Sequence, residues 1–320
     1  MINQDNIKKI LLTGGSGMLG KSILKHPNIN KWEIIAPTRQ ELNLYNYSET
    51  ENFVKKIKPD LIIHTASYSG GIEASMSGHA DFLTRNIDIG RNIIISAKIN
   101  NIKSLINLAS SSMYPKNAKN PLSEDLILTG KLDQSNEGYT MSKIAITKLC
   151  EFIFKEKNDL KYKTIIPVNL YGPNDKFDPN QSTAIASIIN KIYNAKKNRE
   201  KTVEIWGDGK ARREFMYVDD FADCVVEGIK RFADLPQLMN SGIGSDFTIK
   251  ETYEIIAKTL NWDGKFTYNH NKPIGMKQKL VCTKKLIQFG WKHKISFEKG
   301  IKLTIDYYKN MIDKHGRITR

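Results

Sequence analysis

The sequence predicts an α/β protein: a doubly wound parallel sheet with a smaller α/β domain C-terminal to it. Three observations lead there. Short apolar runs alternate with amphipathic stretches through the first half of the chain. A glycine-spaced turn joins the first apolar run directly to the first amphipathic stretch. After Tyr171 that rhythm breaks, and turn residues become frequent. Strand and helix in regular alternation give a parallel sheet covered on both faces, with right-handed crossovers.

The apolar runs at 7–12, 33–36, 61–64, 104–108 and 164–168 read as buried strands, and residues near 17–26, 48–57, 80–100 and 137–157 carry helical spacing. Gly172-Pro173-Asn174-Asp175 then opens an irregular segment before a helix over 182–197. A strand at 203–206, a turn at Gly207-Asp208-Gly209 and the run 213–220 follow. Asp219 and Asp220 are expected to cap a helix reaching about Phe232, with a further strand at 237–241. Thr248 and Glu251 have capping-box spacing for a helix to Leu260, and the last helix is expected over 296–311. The expected division is a larger domain of residues 1–172 plus 214–245 and a smaller one of 173–213 plus 246–320, the chain returning once to the first.

With 320 residues, 40% of them hydrophobic and 26% charged, the chain is long enough to bury a substantial core. Its polar start, Met1 to Lys9, and the absence of any bilayer-length apolar stretch point to a cytoplasmic protein with no membrane partner. Cys150, Cys224 and Cys282 are scattered, as are the six histidines, which argues against a disulfide framework and a metal site. The net charge of +15 raises the question of nucleic acid. Its lysines are dispersed and no dedicated module is present, so the expectation is a solvated basic surface that draws in a small anion, with no nucleic-acid partner.

The first strand runs into Thr13-Gly14-Gly15-Ser16-Gly17-Met18-Leu19-Gly20. A G-x-x-G-x-x-G turn between strand and helix lets the backbone approach a pyrophosphate, and the helix N-terminus supplies amide donors. A Rossmann-like dinucleotide-binding domain is therefore expected. Near the end of the second strand stands Arg39, a residue suited to bidentate contact with a 2′-phosphate, so NADPH is the expected cofactor, with Glu41 pointing away.

Tyr139 and Lys143 open a predicted helix with i, i+4 spacing, which puts phenol and ammonium on one face. Ser110 follows the buried strand at 104–108, at the carboxyl edge where a doubly wound sheet binds its ligands. Reduction of a ketone makes an alkoxide that needs a proton. A free phenol titrates near 10, and neighbouring cations favour its ionised form. Tyr139 is thus the candidate acid, Ser110 the hydrogen-bond donor to the carbonyl oxygen, and Lys143 the cation that tunes the phenol.

With these motifs in order the chain resembles the extended short-chain dehydrogenases/reductases, and within them the GDP-L-fucose synthase family of epimerase-reductases. The resemblance is carried by Gly14–Gly20, Glu41-Leu42-Asn43-Leu44, Ser69-Gly70-Gly71-Ile72 and Tyr114-Pro115-Lys116. It continues through Asn169-Leu170-Tyr171-Gly172-Pro173, Trp206-Gly207, Arg213-Glu214-Phe215 and Val218-Asp219-Asp220. It implies that Ser110, Tyr139 and Lys143 form the reductase triad. The cofactor is implied to lie against the glycine loop, Arg39, Asn43, Leu44 and Ala66, and further along against Leu108, Ala109, Lys143, Pro167, Asn169 and Leu170. Ser111, Ser112 and Asn169 are implied for the sugar, and Lys191, Trp206, Arg213 and Lys279 for the nucleotide diphosphate. A homodimer through the helices near 83–100 and 137–157 is implied as well.

Two positions depart from the family. Its epimerase cysteine corresponds to Ser112 and its histidine to Thr183, with Asp178 and Ser182 nearby. Neither hydroxyl readily exchanges a carbon-bound proton. Related 4,6-dehydratases carry glutamate where Ser112 stands, which disfavours that reaction too. The expectation is an NADPH-dependent C4-reductase of a GDP-linked 4-keto sugar, hexose or heptose, in glycan precursor biosynthesis. The alternatives are a bifunctional 3,5-epimerase/4-reductase and, from another class, a cofactor-binding regulator without chemistry.

Overall fold

A computed structural model describes residues 7–178 and 182–315; the polar N-terminal stretch lies largely outside them. The first half alternates as follows: β1 (Lys9–Thr13), α1 (Met18–Lys25), β2 (Glu33–Ile35), α2 (Tyr47–Ile57) and β3 (Leu61–His64). Then come α3 (Ile72–Ser77), α4 (His79–Ile99), β4 (Ser104–Leu108), α5 (Glu137–Glu156) and β5 (Lys161–Pro167). Shorter pieces follow: β6 (Asn169–Tyr171), α6 (Ala184–Lys197), β7 (Thr202–Trp206), β8 (Arg212–Arg213) and β9 (Phe215–Tyr217). The chain continues through α7 (Val218–Lys230), β10 (Leu238–Ser241), β11 (Phe247–Thr248) and α8 (Ile249–Leu260). It closes with β12 (Lys265–Asn269), β13 (Gln278–Lys279), α9 (Lys284–Phe289) and α10 (Phe297–His315).

Six strands form one parallel sheet in the order β10-β5-β4-β3-β1-β2. The order reverses about β1, as in a doubly wound sheet, so a crevice opens beyond the carboxyl ends of its strands. β1, β3 and β4 are buried along almost every residue, because helices cover both faces. One core, with Ile10, Leu12, Ile63, Ile106 and Ile165, lies under α1 and α7. A second, with Leu11, Ile62, Leu105, Ile93 and Ile153, lies under α2, α4 and α5. The Rossmann-like α/β fold expected from the sequence is the fold observed.

A separate core joins α6, α8 and α10 to β7 and β9, through Ile189, Ile205, Phe215, Ile256 and Ile301. Here β12 runs parallel to β7, and β8 is flanked by β11 and β13. Residues Met276, Val281, Leu286, Phe289 and Trp291, late in the chain, pack into the first core with the main sheet.

One local expectation is corrected. Asp219 and Asp220 do not cap α7; Tyr217 stands at the N-cap and both carboxylates lie in the first turn. Asp219 accepts a hydrogen bond from the Ser22 hydroxyl, and Asp220 accepts the backbone N–H groups of Lys294 and Ile295. They fasten α7 to its neighbours, while still complementing the helix dipole. The capping box at α8 forms as its spacing indicates: the Glu251 N–H meets Thr248 Oγ1 at 3.0 Å and the Thr248 N–H meets Glu251 Oε2 at 2.7 Å.

Candidate functional site

Two clefts open at the carboxyl edge of the main sheet. The smaller, of about 390 Å³, is floored by the turn between β1 and α1. Gly14 takes a positive φ of 75°, and a Cβ on Gly20 would lie 2.2 Å from the Gly14 carbonyl oxygen, so helix and turn meet at a distance only glycine allows. Gly14, Ser16, Gly17, Met18, Leu19 and Gly20 line this cleft with Arg39, Asn43, Leu44 and Ala66. Gly15 sits behind them, against Ala36. The Arg39 guanidinium lies 5.2 Å from the centroid of the Tyr45 ring. Glu41 is turned back on its own loop, accepting the Thr38 N–H at 2.7 Å, and this contact holds its carboxyl below the usual range. The residues fit NADPH: backbone amides at a helix start for a pyrophosphate, and a guanidinium with no carboxylate partner among the described residues for a 2′-phosphate.

Beneath this cleft a polar row crosses the strand ends in register: Thr13, His64, Asn107 and Thr164. Thr13 Oγ1 and His64 Nδ1 are 2.8 Å apart, and burial, with Lys143 nearby, pushes the imidazole down to about 3, so it stays neutral. The segment after β4 is tied down on three sides. The Ala109 N–H reaches the Ile165 carbonyl at 3.0 Å, the Met113 N–H the Ser110 carbonyl at 3.2 Å, and the Thr140 hydroxyl the Ser112 carbonyl at 3.5 Å. Ser110 Oγ accepts the Ser112 N–H at 3.2 Å, which leaves its own proton free to donate. Tyr139 and Lys143 share a face of α5; Lys143 Nζ lies 5.7 Å from the phenol ring centroid and donates to the Leu108 carbonyl at 3.1 Å. Leu108, Ala109, Ser111 and Pro167 are buried, and neither they nor Ser110, Tyr139, Lys143 and Leu170 stand in either cleft lining. Leu170 is partly buried against the first core.

The larger cleft, of about 400 Å³, lies between the main sheet and the C-terminal elements. Residues 65–69 border the smaller cleft and 70–73 the larger, so one stretch of chain runs along both. Ser112, Asn169, Lys191, Trp206, Arg213 and Lys279 meet in the larger one. Burial, with Arg213 beside it, pushes Lys279 down to about 8, while Asp133 opposes the shift. Arg213 is steadied by the carbonyls of Met276 and Ile274, at 2.6 and 2.8 Å. Trp206 carries two ammonium groups over its ring, Lys191 at 5.0 Å and Lys272 at 4.7 Å. Ser112 Oγ is buried without a hydrogen-bond partner in the protein. Thr183 also lines the cleft; its hydroxyl donates to Asp175 at 2.6 Å, and burial pushes that carboxyl up to about 6. None of the described lining residues is a cysteine or a histidine.

A family model described as the NAD dependent epimerase/dehydratase family matches residues 10–242. The chain belongs to that family. It is 47% identical over 302 residues to a GDP-L-colitose synthase of Yersinia pseudotuberculosis, covering 94% of this chain and 98% of that one. A GDP-L-fucose synthase of Azorhizobium caulinodans is 40% identical over 301 residues, covering 94% and 96%. Among solved structures, MlghC, a GDP-mannoheptose C4 reductase from Campylobacter jejuni with NADP bound, superposes with a TM-score of 0.84 at 31% identity, covering 94% and 98%. The resemblance to extended short-chain dehydrogenases/reductases drawn from the glycine, serine and tyrosine-lysine motifs therefore holds.

Several cleft residues carry no signal in the sequence. Tyr45, Asp133 and Tyr253 line the clefts but stand in no motif. Lys272 stands beside Trp206 only because residues far apart in the chain are brought together there. Glu214 was visible only as part of Arg213-Glu214-Phe215. It is fully buried, with its carboxylate accepting the N–H groups of Ile243, Gly244 and Val281 at 2.6, 2.8 and 2.9 Å.

Proposed function

We propose that this enzyme is an NADPH-dependent C4-reductase of a GDP-linked 4-keto sugar and leaves the carbons beside the ketone untouched. The smaller cleft would hold the cofactor, its pyrophosphate on the amides of Gly14–Gly20 and its 2′-phosphate at Arg39. NADPH, when bound, supplies the hydride. The phenol of Tyr139 gives its proton to the ketone oxygen, and the Ser110 hydroxyl donates to the same oxygen as negative charge develops. Lys143, fixed by the Leu108 carbonyl, stands beside the ring and favours the phenolate left behind.

In the larger cleft Lys191, Arg213 and Lys279 answer two phosphates. Lys279 is crowded by burial and by Arg213, and an incoming anion relieves both. A base stacking on Trp206 replaces one of the two ammonium groups now over its ring. The GDP nucleotide and the 4-keto sugar are supported by the names of the relatives, a colitose synthase, a fucose synthase and a mannoheptose C4 reductase.

The observation that carries the reductase-only reading is the lining of the larger cleft, which offers Ser112 and Thr183 hydroxyls and no thiol or imidazole among the described residues. A bifunctional epimerase-reductase needs a pair that exchanges carbon-bound protons near neutral pH, and aliphatic hydroxyls do not. The dimer belongs to the same reading: Ile99 on α4 and Met141 and Phe152 on α5 are exposed apolar side chains. Among the described residues no helix is long and apolar enough to cross a membrane. The test is NADPH consumption with GDP-4-keto-6-deoxymannose against its UDP and CDP counterparts. Turnover with the GDP sugar to a single C4 epimer is expected; no oxidation of NADPH with any 4-keto nucleotide sugar would refute the proposal.

A further inference from the structure

We propose that Tyr45 is a positioning residue for cofactor preference: its ring holds the Arg39 guanidinium in place for the 2′-phosphate of NADPH. The inference rests on reading the smaller cleft as the cofactor site, and it assigns a role to a residue outside every motif named above.

Arg39 Cζ lies 5.2 Å from the Tyr45 ring centroid, and both residues line the cleft beside the glycine turn. Among the described residues Arg39 makes no ion pair and no hydrogen bond to protein. Glu41, two residues on, is the only carboxylate between 36 and 46, and it is engaged by the Thr38 backbone. The guanidinium is thus held by the ring face alone. Contact with the ring face engages no carboxylate or carbonyl, so the guanidinium N–H groups stay available for the paired bonds to a phosphate.

The backbone that carries the Tyr45 ring is set by its own loop and not by Arg39. Its N–H reaches Asn43 Oδ1 at 3.2 Å, and the preceding Leu44 carbonyl accepts Asn92 Nδ2 at 2.9 Å from buried Asn92 on α4. On the other side Asn46 caps α2 through the Glu49 N–H at 3.2 Å. A long arginine side chain loses rotamer freedom when it grips a ligand; a fixed aromatic platform removes part of that loss before the ligand arrives. The gain applies to NADPH and not to NADH, which has no phosphate at that position.

The experiment titrates the wild type, Y45A, Y45F and R39A with NADPH and with NADH, following nicotinamide fluorescence, and compares the NADPH/NADH affinity ratio. Y45A is expected to weaken NADPH by roughly two- to five-fold, the range of an exposed cation–π contact, with NADH affinity unchanged. Y45F, which keeps the ring face, is expected to keep the wild-type ratio. An unchanged ratio in Y45A, an equal weakening of both cofactors, or a Y45F ratio as low as that of Y45A would overturn the proposal. A wild type that does not distinguish the cofactors, or an R39A protein that keeps the ratio, would instead overturn the assignment of Arg39, and Tyr45 with it. Loss of the ratio in R39A with its retention in Y45A removes Tyr45 alone.

Discussion

The Tyr139 ring faces a lysine whose ammonium is fixed by a backbone carbonyl, in a segment tied to β5 and α5 by hydrogen bonds. That fixity suits a proton donor, because geometry and not mobility then sets the transfer distance. Replacing the phenol hydroxyl in Y139F is expected to lower kcat by roughly a hundred- to ten-thousand-fold, the span of general-acid contributions, while NADPH affinity stays near wild type. Steady-state rates with parallel cofactor titration separate the two. Lys279 makes a second residue-scale prediction. Its ammonium is pushed down to about 8 and so is charged below that pH and neutral above it. KM for the nucleotide sugar is expected to rise as pH passes upward through about 8, and in K279M to be high and flat across the same window. That Tyr139 and Lys143 share a helix face was legible because their spacing follows directly from helix periodicity. The acidic residues were not: Asp175 and Glu214 take their character from burial and from backbone donors that only the folded chain assembles.

Among the elements, the turn between β1 and α1 has the least room to vary. A side chain at Gly20 would press on the Gly14 carbonyl at 2.2 Å and push helix from turn. G20A is therefore expected to lower NADPH affinity by at least about ten-fold, by displacing the helix-start amides from the pyrophosphate, and to lower the melting temperature. Calorimetry with and without NADPH measures both. The buried strands β1, β3, β4 and β5 were readable from their apolar runs, since a strand covered on both faces leaves no other pattern. β2 was expected buried too, but at the sheet edge its residues are exposed or partly exposed. The capping box of α8 was readable from two residues. The three-residue β6, the six-residue α3 and α9, and exposed β12 were not. Pieces this short show no full period, and their pairing depends on partners distant in the chain.

Across the whole molecule, the sheet and the C-terminal elements meet around the larger cleft, and buried Glu214 is one of the ties. Its carboxylate collects N–H groups from the segments after β10 and after β13, and its carbonyl accepts from the backbone N–H and the side-chain amide of Asn169. Burial pushes the carboxyl up to about 7 even against those three donors. Arg213, Lys279 and Asn169 all stand next to this tie, which fixes their spacing. The proposed reaction turns on the lining of this cleft, which among the described residues has no thiol or imidazole to work on the carbons beside a ketone. The most direct measurement runs the enzyme with NADPH and a GDP-4-keto sugar in deuterated water and locates deuterium in the product by mass spectrometry and NMR. Product with no carbon-bound deuterium on either side of C4 is the predicted result; deuterium at either of those carbons, above an enzyme-free control, would contradict it.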